Sequence, residues 1–493
     1  MYEHLLKTIT NLGSPRVLLV GDFMLDVYIY GDALRISPEA PVPVLKVQNS
    51  KYACGGAGSV ANDLLALGAK VSCIGITGDD DNGGVLRKML NDAGADTRGL
   101  LAIHGRPTTT KQRLIGLAQH RHPQQLIRID DECCDELPKD VSEQIEKMFT
   151  EQLDQTDIIC LQDYNKALLT DSVCRFVIQK AAKAGKKVLV DPAYITNYPK
   201  YVGATLITPN RKEASTAAGF EIKNPNDVTT AAKQLCETLK LDAVVITLDK
   251  EGAYLQTDKI SKLISTIPRN VYDVTGAGDM VLAALTVTLA ADCDYETAVR
   301  LANIAGGIEV EKFGAATVTI DEIVNEIISV HRGKSGKIRS VNSILTELDW
   351  HRKLNEKIVF TNGCFDVLHR GHIEFLKFCK AQGDIVVLGL NSDSSVKQIK
   401  GPQRPINNQH DRAAVLAALE TVNYIIIFDQ PDPMNLISQV KPDVLVKGQD
   451  WQDKGVIGRE FVESYGGKVV LAPLVQGKSS TATIEKMNSL NKE

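Results

Sequence analysis

The sequence predicts an α/β protein of two units, a three-layer domain with a small β lid and, after it, a more compact doubly wound domain. Three observations carry that reading. Runs rich in Val, Ile and Leu recur between helical stretches, as RVLLVGD, KVSCIGITGDD, DIICLQDY, KKVLVDPA, ATLITPN and LDAVVITLD; near-continuous apolar strands of this kind belong to a parallel sheet covered on both faces. Two stretches break the rhythm. YIYGDALRISPEAPVPVLKV and TTTKQRLIGLAQHRHPQQLIRID alternate polar and apolar residues as short, half-exposed strands do, and they supply the lid. Beyond residues 331–357, which are charged, poor in strand signals, open with two glycines and continue into a possible helix, the alternation restarts with KIVFTNG, DIVVLGLNSD, VNYIIIFD, PDVLVKG and KVVLAP. Such a unit binds ligands at the carboxyl ends of its strands. The expected division is residues 1–330, a linker at 331–357 and a second domain at 358–493. A chain of 493 residues suits it, at about 150 residues per domain.

With 44% apolar and 24% charged residues and a net charge of -5, the chain offers no broad attraction for nucleic acid or acidic membranes. Anionic ligands must be held locally. MYEHLLKTITNLGSPRV has neither the basic start nor the apolar core of a signal peptide, and the longest apolar run, MVLAALTVTLAA, is of core-helix length. The ten cysteines show no zinc-type CxxC pairs and read as reduced, mostly buried thiols. A cytoplasmic protein is expected.

The first chemical motif is DVTGAGD, from Asp273. Gly276 and Gly278 permit positive φ and close backbone approach, so consecutive N–H groups can form an anion hole at a helix N-terminus. Asp279, in the first turn, can accept a hydroxyl proton while that hole stabilises a transferring phosphoryl group. The plainer alternative is a tight strand-to-helix connection with a capping aspartate. Other strings stand around it: VGDFMLDVY with Asp22 and Asp26, GGAGSVANDLLALG from Gly55 and Gly56, and TPNRKEA with Asn210, Arg211, Lys212 and Glu213.

Together, in this order, these motifs resemble the ribokinase-like (PfkB) sugar kinases over residues 15 to about 325. The resemblance implies Asp279 as catalytic base, Gly276, Ala277 and Gly278 as the anion hole, and Asn210 to Glu213 at the phosphates of Mg-ATP. Glu213 would hold Mg2+ directly or through a water, as a hard oxygen ligand can. It further implies Asp22, Asp26, Gly55 and Gly56 on the sugar side. One departure is Asp249 in ITLDKEG, where many relatives have glycine in a nucleotide loop. TTTKQR and QQLIRID are similar to the heptose-phosphate branch, whose substrate already carries a far-end phosphate; Lys111 and Arg113 can hold it as a charge-assisted pair. A solvated strand face is the alternative for these two.

The second motif is TNGCFDVLHRGHIEF, from Thr361. His369 and His372, at i and i+3, lie on one side of a helical turn facing the end of the preceding strand. A zinc pair would want further ligands, which are not at ligand spacing nearby, and buried structural histidines are the other alternative. The string resembles the GxFDxxHxGH signature of the cytidylyltransferase-like nucleotidyltransferases, over residues 358 to about 487, and so a Rossmann-like fold. That family uses its histidines to stabilise charge on the α-phosphate during an in-line attack by an incoming phosphate. The resemblance places Gly363, Phe365 and Asp366 at the nucleotide, Lys447 at its triphosphate, and Ser479, Ser480 and Thr481 in a phosphate loop at another helix N-terminus. Lys478 departs from the usual apolar residue there. Arg404 and Arg412 are further candidates, each equally readable as an ion pair, and Cys364 reads as a small buried residue.

A ribokinase-like kinase followed by an HxGH transferase is similar to the bifunctional heptose kinase/adenylyltransferases of Gram-negative bacteria over nearly the whole chain. This implies ATP-dependent phosphorylation of D-glycero-β-D-manno-heptose 7-phosphate at the anomeric hydroxyl, then transfer of AMP from ATP to the 1-phosphate, giving ADP-heptose and pyrophosphate for the lipopolysaccharide core. A separate phosphatase must act between the steps, because the chain carries no strand-borne DxDxT motif. Another sugar or polyol phosphate, with CTP in the second step, is the alternative; a degenerate domain that only regulates the other is a third reading. A homodimer is expected by analogy with kinases that pair through a strand lid.

Overall fold

The computed structural model describes residues 2–117, 124–196, 198–267, 269, 276–312 and 316–473, with the backbone alone at 331–335. Two compact units emerge, Thr8–Asn325 and Met1–Lys7 with Glu326–Glu493.

The first unit carries thirteen strands among its described residues: β1 (Arg16–Gly21), β2 (Phe23–Ile36), β3 (Pro43–Gly56), β4 (Lys70–Gly78), β5 (Asp96–Ile103), β6 (Thr110–Leu117), β7 (Gln124–Asp131), β8 (Ile158–Gln162), β9 (Lys187–Asp191), β10 (Leu206–Ile207), β11 (Ala243–Thr247), β12 (Ala253–Thr257) and β13 (Ser261–Ile264). Nine form one sheet in the order β13-β12-β11-β10-β9-β8-β1-β4-β5. Its strands from β11 to β5 run parallel, whereas β12 and β13 are an antiparallel edge. Strands buried on both faces need apolar residues at every position, which is why β1 is buried throughout after Arg16 and β8 along its whole length. The helix Ala277–Ala290, AGDMVLAALTVTLA, is buried on nearly every side, the behaviour of a helix apolar all round.

The two alternating stretches form a separate four-stranded sheet, β3-β2-β6-β7. Residues of β7 are exposed along its whole length, so the period-2 pattern marks a lid strand that lacks a second covering layer.

The second unit has five parallel strands, β14 (Ile358–Gly363), β15 (Ile385–Asn391), β16 (Tyr424–Phe428), β17 (Val444–Gly448) and β18 (Lys468–Ala472). Their order is β16-β15-β14-β17-β18. The order reverses between β14 and β17, and the carboxyl ends there define the crevice of a doubly wound sheet.

The stretch read as a linker contains the helix that its sequence allowed, and that helix is packed into a core. Residues Val341–Lys353 form a helix capped by the Ser340 side chain, and Ile344 and Leu348 are fully buried in a core with Phe360, Val387 and Leu445.

Candidate active sites

In the first unit, β1 delivers Asp22 at its carboxyl end and β2 carries Asp26. Asp22 is 3% exposed, and its Oδ2 accepts backbone N–H groups of Tyr164 at 2.8 Å and Lys166 at 3.1 Å. Burial and the neighbouring Asp163 push its carboxyl up to about 7. The loop that supplies those N–H groups is pinned beneath by Asp163, which pairs with buried Lys200 at 2.5 Å and accepts the Tyr201 hydroxyl at 2.7 Å. Gly55 and Gly56 end β3 opposite Met24 and Phe23. A Cβ on Gly55 would stand 2.9 Å from Asp26 Oδ2, and one on Gly56 2.5 Å from the Asp22 carbonyl. The two glycines thus make room for the aspartates, and for a ligand they have only backbone to offer.

Asp26 bonds Arg113 Nη1 at 2.7 Å, and the Arg113 guanidinium lies 5.2 Å from the centre of the Tyr28 ring. Lys111 stands over Tyr164 at 4.8 Å, and burial lowers its pKa. Across the β6/β7 ladder Arg113 faces Arg128, which pairs with Asp130 at 2.8 Å. Like charges directly opposite each other on a sheet cost stability, and here each arginine is offset by an aspartate of its own, Asp26 and Asp130.

Asp279 sits in the first turn behind Gly276, whose φ of 98° is left-handed; a Cβ there would meet Glu309 Oε1 at 2.5 Å. Burial first, and Asp191 second, raise the Asp279 carboxyl from 3.8 to about 8. The Gln162 side-chain amide donates to Asp279 Oδ1 and to Asp191 Oδ2, at 2.9 Å each. Asp191, raised to about 6 by burial, also accepts from Thr208 Oγ1 at 2.9 Å. Asn210 opens the helix Arg211–Ala218 in a capping box with Glu213: the Asn210 side chain accepts from Lys212 and Glu213 N–H, and Glu213 accepts from Asn210 N–H at 2.8 Å. Burial and Asp191 raise Glu213 to about 7. An open cleft of about 1340 Å³ joins Asn210, Arg211 and Lys212 to Ala277 and Gly278. Its wall includes Asp249 at φ 50°, a left-handed position that explains why glycine suits it and that aspartate tolerates.

Among the described residues no group of three or more His, Cys, Asp or Glu is placed to hold a metal ion. Asp191, raised by burial, and Glu213, raised by burial and then by Asp191, suit Mg2+ shared with a triphosphate and waters, its usual mode of binding. The sequence reading missed Gln162, Tyr164, Lys166, Asp191 and Arg128. Asp191 had a signal, as an acidic residue at the carboxyl end of an apolar strand, and so did Arg128, which lies in QQLIRID, a string already tied to the sugar-phosphate resemblance.

In the second unit, Gly363 ends β14 where a Cβ would lie 2.9 Å from the Phe365 ring. That ring is buried in a cluster with Leu376 and Leu388, so Phe365 is a packing residue with a φ of 44°. Asp366 is also buried. Its carboxylate is taken up by Arg404 and by the N–H groups of Ile406, at 2.7 Å, and Asn407, at 3.1 Å. The side chains assigned from sequence to the nucleotide at 365 and 366 therefore shape the turn instead, because the loop's own donors and core satisfy them first. Arg412 is likewise internal, donating to the carbonyls of Cys364, Asn391 and Asn407 and pairing with Asp393 at 2.7 Å.

His369 caps the helix Arg370–Lys380. Its ring stacks on that of His372 with centroids 3.9 Å apart, and its backbone N–H reaches His372 Nδ1 at 3.4 Å. Burial, then His369 and Lys400, lower His372 to about 4. A neutral ring whose Nδ1 accepts carries its proton on Nε2, ready to donate. Lys400 is a further missed residue. Lys447, at the carboxyl end of β17, bonds the Asn362 carbonyl at 3.3 Å and lies 5.1 Å from the Trp451 ring centre; burial lowers it to about 8. Ser479, Ser480 and Thr481 lie outside the described residues.

Comparison with known proteins bears on both units. The pfkB family carbohydrate kinases match residues 14–322, and the cytidylyltransferase-like family matches 360–476. The chain is 42% identical over 481 residues to the bifunctional protein HldE of Geotalea uraniireducens (strain Rf4), covering 97% of each. It is 43% identical over 478 residues to that of a Nitratiruptor species, covering 97% of this chain and 100% of the relative. The chain belongs to the HldE family. It is a bifunctional enzyme, a sugar kinase joined to a nucleotidyltransferase. The HldE-family kinase unit shares its fold with Arabidopsis thaliana ribokinase, at a TM-score of 0.51 and 19% identity over 64% of this chain and 99% of that one. Escherichia coli phosphofructokinase-2 in complex with substrates and products gives a TM-score of 0.53 at 20% identity, covering 64% of this chain and 100% of that one.

The raised Asp279 carboxyl couples folding to pH. In the unfolded chain it ionises near 3.8, in the folded chain near 8, so the stability it contributes is present below the lower value and lost as pH rises to the upper. Asp279→Asn cannot ionise. Its melting temperature should climb relative to the parent between about pH 5 and pH 8; a constant difference across that range would refute the raised pKa.

Proposed function

We infer that the first unit phosphorylates D-glycero-β-D-manno-heptose 7-phosphate at its anomeric hydroxyl with ATP, giving the 1,7-bisphosphate. The second transfers AMP from ATP to D-glycero-β-D-manno-heptose 1-phosphate, giving ADP-heptose and pyrophosphate for the lipopolysaccharide core. The observation that carries this is full-length similarity to the HldE proteins in a chain that brings an intact base and an intact imidazole pair to the ends of two parallel sheets.

In the kinase unit, Asp279 takes the proton of the attacking hydroxyl. A base raised to about 8 is matched to that task near neutral pH. The N–H groups at Gly276 to Gly278 receive charge on the transferring phosphoryl group. Gln162 holds Asp279 and Asp191 at a set spacing, and Asp22 and Asp26 accept sugar hydroxyls. Mg2+, held by Glu213 and Asp191 with the nucleotide, neutralises phosphate charge when bound.

In the transferase unit, His369 and His372 donate to the α-phosphate as the sugar phosphate attacks in line, and Lys447 and Lys400 attract the triphosphate. No covalent intermediate is required. A separate phosphatase removes the 7-phosphate between the steps, and both reactions take place in the cytoplasm.

Asp279→Asn should abolish ADP formation from the 7-phosphate and spare ADP-heptose synthesis, with His369→Ala doing the reverse; loss of both activities in either folded variant refutes two separate sites. Excess EDTA should stop both reactions, and undiminished turnover would remove Mg2+ from the account.

The facing cations Lys111, Arg113 and Arg128 support the lid as the place of the 7-phosphate. Arg128→Ala should raise KM for the sugar phosphate about tenfold, as for loss of one charged hydrogen bond, with smaller loss in kcat. An unchanged KM would place the phosphate elsewhere.

The lid also exposes Leu126, Ile127 and Ile129 along β7, and Leu34, Ile36 and Val47 on β2 and β3. Soluble monomers rarely leave so much apolar surface together, which supports a homodimer paired through the lid. Ile127→Asp should yield a monomer by light scattering; a dimer that persists, or a monomeric parent, defeats this.

A further inference from the structure

Between β7 and the helix Lys139–Leu153 the chain passes through Cys133 and Cys134. They are the one adjacent pair among the ten cysteines, and Cys134 is the one exposed thiol. Neither has a role in the reactions above. Their segment is nonetheless wired to the sugar pocket. Arg106 donates to the carbonyls of Cys133, of Asp135 at 3.1 Å and of Lys166 at 3.2 Å. The Lys166 ammonium pairs with Glu132 at 2.7 Å and lies 3.9 Å from Cys134 Sγ. Lys166 in turn gives its backbone N–H to Asp22, and Arg106, Lys166 and Asp22 line one small cavity of about 10 Å³.

We propose that Cys133 and Cys134 form a dithiol modification site, oxidised by a two-electron thiol oxidant to a vicinal disulfide that weakens sugar binding in the kinase unit. This rests on the kinase reading of that pocket. With a low-molecular-weight disulfide the step is a double exchange. One cysteine sulfur attacks RSSR and expels the first RSH, and the second attacks the mixed disulfide and expels the other. Two S–H bonds are lost, one protein S–S bond forms, and RSSR is reduced to two RSH. The Lys166 ammonium beside Cys134 Sγ offsets the charge of the thiolate that attacks, so Cys134 is the first nucleophile.

Closure has a structural consequence. Adjacent Cα atoms stand about 3.8 Å apart across a trans peptide, closer than the roughly 4.4–6.8 Å of ordinary disulfides. Joining side chains on adjacent residues therefore requires rotation of the φ and ψ angles that flank the 133–134 peptide. That rotation withdraws the Cys133 carbonyl from Arg106 and shifts Glu132 away from Lys166, loosening the two residues that frame Asp22. A strained disulfide is readily reduced, so the change is reversible.

The test treats the full-length protein with diamide, a diazene that accepts the two hydrogens as a hydrazine, and follows both activities in the one chain. Peptide mass mapping should find the 133–134 segment two hydrogens lighter. KM for the sugar phosphate should rise about five- to tenfold, the loss of one or two supporting hydrogen bonds. ADP-heptose synthesis should hold steady, and dithiothreitol should restore the original KM. Cys134→Ser should keep the basal kinase rate and lose the response. Failure of the pair to oxidise, an oxidised pair with unchanged KM, or equal sensitivity in Cys134→Ser each overturns the proposal. Basal activity of the reduced enzyme tests the kinase reading independently.

Discussion

Withdrawal of charged groups from water, with their compensation left to the substrate, underlies both active sites. In the kinase unit Asp22, Asp191, Glu213 and Asp279 all sit where burial is the largest influence on their titration. None of the four is paired with a lysine or arginine at salt-bridge distance among the described residues. Hydrogen bonds from Gln162, Thr208 and the 164–166 backbone orient them, but these are neutral donors. Such a site is costly to fold, the usual trade between stability and function. Asp26 is the contrasting case, since Arg113 neutralises it directly.

The transferase unit applies the same constraint with the sign reversed. His372 is kept neutral by burial and by the cations around it, and Lys447 is lowered toward neutrality at the end of β17. A triphosphate brings the negative charge that both residues lack. Neutral stacked imidazoles have a second advantage, because two imidazolium rings with centroids 3.9 Å apart would repel one another. Around this pair, Arg404 binds Asp366 and Arg412 binds backbone carbonyls, holding the turn, while Arg404 Nη2 is buried without a hydrogen-bond partner among the described residues. Positioning carries much of the rate in such transfers, so these internal ion pairs matter through geometry.

Reading the chain in one dimension recovered the parts whose meaning is local. A glycine turn feeding Asp279 into an apolar helix, and a strand ending in Gly363 before two histidines a turn apart, are backbone devices written in consecutive residues. So are the near-continuous strands of both parallel sheets and the alternating strands of the lid. The helix Val341–Lys353 was legible as a possible helix, but the burial of Ile344 and Leu348 depends on strands that follow later in the chain.

By itself, then, the sequence determined the two α/β units, the pair of phosphate-handling motifs and the membership that these motifs announce. Only the tertiary structure decided which side chains complete each site. Gln162 meets Asp279 across 117 residues, and Arg113 meets Asp26 across 87. Asp366 looked like a ligand residue until the loop at 404–407 was seen to consume it. The reason is physical: dihedral preferences and side-chain periodicity act between near neighbours, whereas desolvation and hydrogen-bond partners are set by whatever the fold packs alongside.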